Sequence, residues 1–148
     1  MKRIIFGMLL FVLVLAGCSP AASTTETPQT KLAVSGGSIT KSYTTSDLQK
    51  LSSTKATINN VEYVGVTLSS LLKDAGFDLN QVKTVKVVAS DGFTTNYDPS
   101  LFNKEDTLVA YALSSGALSA DDGAFRMVLP GQAGKLNPRK IAEIQVTQ

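Results

Sequence analysis

The sequence predicts a mixed α+β domain of many short strands around one secure helix. Short apolar or alternating stretches recur between residues 38 and 146. Glycine, asparagine, aspartate or proline cuts off each one, and these residues turn a chain. Clear helical spacing occurs at Leu68, Leu71, Leu72 and Ala75, which form one apolar stripe.

The elements follow in order. Ser38 to Thr44 is an expected strand after the Gly36-Gly37 break. Thr45 to Leu51 reads as a short helix with a hydroxyl cap and Leu48 and Leu51 three apart. Ala56 to Val66 holds two short strands around Asn59-Asn60, since asparagine tolerates a left-handed turn. Thr67 caps the main helix and Gly76 stops it. Val82 to Ala89 is a strand with Val85, Val87 and Ala89 on one face. Ser90-Asp91-Gly92 turns the chain into Phe93 to Tyr97, and Asp98-Pro99 opens a helical turn. Thr107 to Leu113 is a strongly apolar strand, with turns expected at Ser115-Gly116 and Asp121-Asp122-Gly123. Phe125 to Leu129 is another strand, and residues 130 to 134 form a loop. A turn of helix is expected at Pro138 to Ile141, ahead of a last strand from Ile141 to Val146.

The first residues read as a leader. Lys2 and Arg3 precede the apolar run Ile4 to Leu15, which has signal-segment length and is short for a membrane span. Leu15-Ala16-Gly17-Cys18 then resembles the lipobox of bacterial lipoproteins. That resemblance implies a signal peptide over 1–17, diacylglycerol on Cys18 and an extracytoplasmic, lipid-anchored protein. Two acyl chains anchor stably where one is marginal. Residues 18–31 are small, polar and proline-punctuated, a flexible tether. The domain is then 32–148.

Composition excludes several chemistries. The chain has no histidine, so a histidine base, a histidine-liganded metal and a Ser-His-Asp triad are excluded. Cys18 is the only cysteine, and 19–148 can form no internal disulfide. Without Lys2 and Arg3, the 14 basic residues fall to 12, matching the 12 acidic ones. No basic nucleic-acid surface is expected.

Five segments in order carry a further likeness: Tyr63 to Gly76, Val87 to Phe93, Thr107 to Tyr111, Phe125 to Gly131 and Arg139 to Val146. Over roughly 38–147 the chain resembles the molybdopterin-binding domain of sulfite-oxidase-type oxidoreductases. The resemblance implies mostly antiparallel strands and a pterin dithiolene whose molybdenum takes one protein cysteine. The corresponding stretch here, 53–62, contains no cysteine. Met1 to Phe6 also lacks the paired arginines of export in the folded state. An ordinary secretory signal implies threading unfolded, with no cofactor aboard.

The resemblance points to Ser90, Asp91, Arg126 and Arg139 as pocket residues. Ser90 and Asp91 either edge a cofactor-type pocket or form a hairpin turn in which aspartate caps amides. Arg126 either recognises an anion by its fork, faces solvent, or pairs with Asp91 or Asp122. Gly131 and the following residues could present amides to an anion, with Lys135 adding charge, although P-loop spacing is absent. Lys135, Arg139 and Lys140 read otherwise as a solvated basic face. The acidic pairs Glu105-Asp106 and Asp121-Asp122 lack EF-hand spacing. No metal ligand and no catalytic residue is expected.

These readings converge on a lipid-anchored binding module, a degenerate member of the resembled family without its metal ligand. Its expected partners are the membrane, through the anchor, and a small anionic or heterocyclic molecule or an envelope protein. The alternative is a molybdopterin-dependent oxidoreductase acting on a small oxyanion. A purely structural surface role is a third reading.

Overall fold

The structure is a computed structural model and describes residues 29–148. The leader, Cys18 and most of the tether lie outside the described residues. In chain order the elements are β1 (Leu32–Gly36), β2 (Ile39–Tyr43), α1 (Thr45–Leu48), β3 (Ser53–Ile58), β4 (Val61–Thr67), α2 (Leu68–Ala75) and β5 (Thr84–Ala89). They continue with β6 (Thr94–Tyr97), α3 (Pro99–Phe102), β7 (Leu108–Leu113), β8 (Gly116–Ala117), β9 (Arg126–Val128) and β10 (Ile141–Thr147).

Among the described residues, two five-stranded sheets result. One has the order β2-β1-β10-β5-β6, and the other runs β3-β4-β7-β8 with β9 also paired to β7. Pairing is antiparallel except between β1 and β10. Alternating residues fill the space between the sheets. Val34, Val85, Val87 and Ile144 come from the first sheet, Val66, Val109 and Met127 from the second, all in one core. Helix α2 adds Leu68, Leu71, Leu72 and Ala75, the stripe expected from its spacing. The second sheet carries a smaller cluster of Ala56, Tyr63, Leu108, Ala110 and Val128. Residues 108–110 are therefore all buried: Leu108 and Ala110 enter this smaller cluster, while Val109 enters the main core.

Local chemistry sets the element ends. The Thr67 hydroxyl accepts from the Ser70 amide at 3.1 Å, and Gly76 ends α2 at φ 103°. Asn59 and Asn60 both have positive φ, 51° and 62°, so β3 and β4 are joined by a two-residue turn. Asp98 caps α3 by accepting from Ser100 at 2.8 Å, with Pro99 in the first turn.

Three details depart from expectation. β1 is a strand that local sequence pattern does not announce; its Leu32 and Val34 alternate into the core, and parallel pairing to distant β10 stabilises it. The turn near Ser115-Gly116 falls one residue earlier, because Gly116 already pairs with Leu113. The helical turn forms at Gly134–Leu136 rather than at Pro138 to Ile141. Lys140 has φ 51°, which breaks any right-handed turn there. Among the described residues, no helix is long and apolar enough to cross a membrane.

Candidate functional site

Where the two sheets meet, loops from both enclose an open cleft of about 690 Å³. The second sheet contributes Ile58 and Asn59 from the β3–β4 hairpin and Arg126 from β9. The first sheet contributes Asp91 and Phe93 from the β5–β6 turn. The segment between β9 and β10 supplies Gly131, Asn137, Arg139 and Lys140.

Arg126 is the most constrained of these groups. It stands in β9 but is only 4% exposed. One guanidinium nitrogen, Nη1, donates to Asp122 Oδ1 at 2.6 Å and to the Tyr63 hydroxyl at 2.9 Å. The guanidinium carbon lies 4.6 Å from the centre of the Tyr63 ring, a cation–π contact. Asp122 is buried too, and its second oxygen accepts from the Ser119 hydroxyl at 2.8 Å. Arg139 Nε approaches the same Oδ1 at 3.3 Å, yet its side chain is 59% exposed. One carboxylate thus serves two guanidinium groups. The inner one is held in a buried ion pair through Nη1; the outer one keeps donors facing solvent.

The loop beneath the cleft is held by amide chemistry. Asn137, nearly buried, accepts from the Leu129 amide at 2.6 Å and donates to the Gln132 and Ala133 carbonyls. The Tyr97 hydroxyl donates to the Leu136 carbonyl at 2.8 Å. Burial pushes the Tyr97 phenol far above its ordinary range, so it stays a donor at any physiological pH.

The β5–β6 connection is a closed turn. Asp91 Oδ1 accepts from the Phe93 amide at 2.9 Å, and the Ala89 amide donates to the Phe93 carbonyl at 2.9 Å. Asp91 therefore both caps the turn and lines the cleft. Of the residues singled out from the sequence, the cleft gathers Asp91, Arg126, Gly131 and Arg139. Ser90 and Lys135 are exposed and stand outside its lining. Ser90 contributes its backbone, donating to the Lys140 carbonyl at 2.9 Å.

Sequence reasoning missed Asn137, Phe93 and Ile58. Asn137 carries no periodic signal, and its loop is assembled by contacts with Leu129 and the 132–133 carbonyls. Phe93 reads as an ordinary strand residue; its 44% exposure appears only once the turn is built.

The donor set is equally specific. Residues 29–148 contain neither cysteine nor histidine. Among the described residues, no group of three or more histidine, cysteine, aspartate or glutamate side chains could hold a metal ion.

Residues 23–148 match the family described as the oxidoreductase molybdopterin binding domain. Among solved structures, the chain resembles the sulfane dehydrogenase SoxCD from Paracoccus pantotrophus, with a TM-score of 0.68 and 20% identity. The match covers 80% of this chain and 38% of that one, so the chain spans well under half of that relative. No curated protein sequence matches.

Proposed function

The chain belongs to the oxidoreductase molybdopterin-binding domain family, and from that premise we propose that it is a binding module that has kept the family fold without a metal centre. It is anchored by lipid on Cys18 after removal of residues 1–17, is tethered by 18–31, and works outside the cytoplasm. Its cleft takes a small anionic or heterocyclic molecule.

One observation carries this reading. The arginine that lines the cleft has its charge balanced inward by Asp122 and its face covered by Tyr63. Beside it, residues 29–148 offer no thiolate. A molybdenum centre of the kind the resemblance implies takes one protein cysteine beside its pterin dithiolene, and thiolate is the side-chain donor suited to that position. The residues present do not fit that centre. What they do offer is hydrogen bonding and charge: Arg139 and Lys140 as cations, and an aromatic face at Phe93. These are binding groups.

The test is elemental analysis of the protein isolated from its native envelope, with mass spectrometry of anything released on denaturation. A metal-free protein releasing a small organic anion is the expected result. Stoichiometric molybdenum with a pterin, accompanied by turnover of a small oxyanion, would reverse the reading in favour of an oxidoreductase. Mass spectrometry of the native N-terminus is expected to find a diacylglyceryl group on Cys18 with residues 1–17 removed; an unmodified thiol there would refute the anchor.

A further inference from the structure

Arg139 and Lys140 are consecutive, and both line the cleft. They directly precede β10, and in an extended chain consecutive side chains point to opposite faces. Lys140 departs from that extended geometry, with φ 51°, a left-handed conformation that non-glycine residues adopt at a cost. The conformation is held from several sides. The Lys140 amide donates to the Asp122 carbonyl at 2.8 Å, and its own carbonyl accepts from Ser90 at 2.9 Å. Gly123 makes room for it: a Cβ there would come within 2.9 Å of Lys140 Cγ and 3.0 Å of its Cα. Strain held in place by two other chain segments at a cleft wall is the kind that accompanies function.

Charge then narrows what the cleft takes. Arg126 and Arg139 share Asp122. Lys140 makes no salt bridge among the described residues. Asp91 and Asp121 also line the cleft and repel a multiply charged anion. A single negative charge suits this balance better than a dianion. Phe93 supplies the other half of the recognition. It is a large apolar side chain, 44% exposed at the cleft wall. It is also tied to the same point in the fold, because the Ala89 amide donates to the Phe93 carbonyl and Ala89 pairs with Ile141, next to Lys140. Ile58 adds a second apolar contact from the β3–β4 hairpin.

We infer that the cleft binds an aromatic carboxylate, with its ring against Phe93 and its carboxylate on Lys140 and Arg139. This rests on the binding role proposed above and deepens it, naming the ligand class and adding Lys140 and Phe93 as its recognition groups.

The probe is 2-naphthoate, titrated by its own fluorescence, which the absence of tryptophan in the chain leaves unobscured. Saturable binding to the isolated, metal-free protein is expected. Lys140→Gly is expected to weaken it roughly tenfold, the effect of losing one charge-assisted hydrogen bond. The same variant relieves the left-handed strain, so its thermal midpoint is expected to equal or exceed that of the parent. Phe93→Ala is expected to weaken binding several-fold, while Lys104→Ala, on the exposed turn before β7, leaves it unchanged. Failure of naphthoate to bind a metal-free protein would overturn this ligand class while leaving the binding-module reading intact. Equal affinity for cyclohexanecarboxylate would remove the aromatic contact. Displacement of naphthoate by inorganic phosphate at comparable concentration would show a dianion site and overturn the inference. Molybdenum in the native protein would instead strike at the reading on which it rests.

Discussion

Replacing Arg126 with methionine isolates the group that most distinguishes a structural arginine from a ligand-binding one. Methionine roughly keeps the aliphatic stem and removes the guanidinium. The change strands the Asp122 carboxylate, whose side chain is only 9% exposed, with Ser119 and a longer contact to Arg139. Breaking a buried pair by removing one partner costs about 3–5 kcal/mol. The residual Arg139 contact at 3.3 Å places the expected loss near the lower end, about 3 kcal/mol. For a domain of this size that lowers the thermal midpoint by about 10 °C. Differential scanning calorimetry and urea unfolding measure it directly. Adding Asp122→Asn removes the stranded charge while keeping a polar partner for Ser119, so the double variant should regain most of the loss. A fall below about 1 kcal/mol for Arg126→Met would refute the reasoning, since that is the range of an exposed, uncommitted pair. The arginine would then be free for a ligand.

Other outcomes follow from the same geometry. Tyr63→Phe keeps the ring under Arg126 but deletes the acceptor at 2.9 Å; urea unfolding should show a loss of about 1 kcal/mol. Asn137→Ala leaves the Leu129 amide without its partner and should cost about 1–3 kcal/mol, with hydrogen exchange accelerated across 130–136. Thr67→Ala removes the cap of α2 and should cost about 1 kcal/mol, read from the urea midpoint. Asp74 tests pH dependence: the Lys41 ammonium, and then the Tyr43 hydroxyl, hold its carboxyl below the ordinary carboxylate range. Its contribution is complete above the unfolded value and lost as pH falls through the folded one. Asp74→Asn should therefore melt below the parent at about pH 7, with the gap closing towards about pH 2. A gap that persists in acid would contradict this.

Much of the fold was legible because it depends on short-range rules. The α2 stripe, its threonine cap and glycine stop, the asparagine turn and the alternation of β5 follow from neighbours within a few residues. β1 was not legible, because its parallel partner lies at the other end of the chain. The helical turn was misplaced because the backbone at Lys140 is set by Asp122 and Ser90, not by its own sequence. Arg126 shows the same division. Its alternation between apolar neighbours left solvent, ligand and ion pair all open, and only the approach of Tyr63 and Asp122 shows the ion pair.

The sequence by itself determined the α+β class and the absence of histidine anywhere and of a thiol after Cys18. Composition and local periodicity are complete in one dimension, so nothing further was needed to read them. Tertiary structure alone decided which charges are consumed and which remain available. Arg126, Arg139 and Lys140 look alike as cations in the chain, but their roles depend on distances to Asp122 and on burial. Those distances exist only after β9, β10 and the β3–β4 hairpin meet.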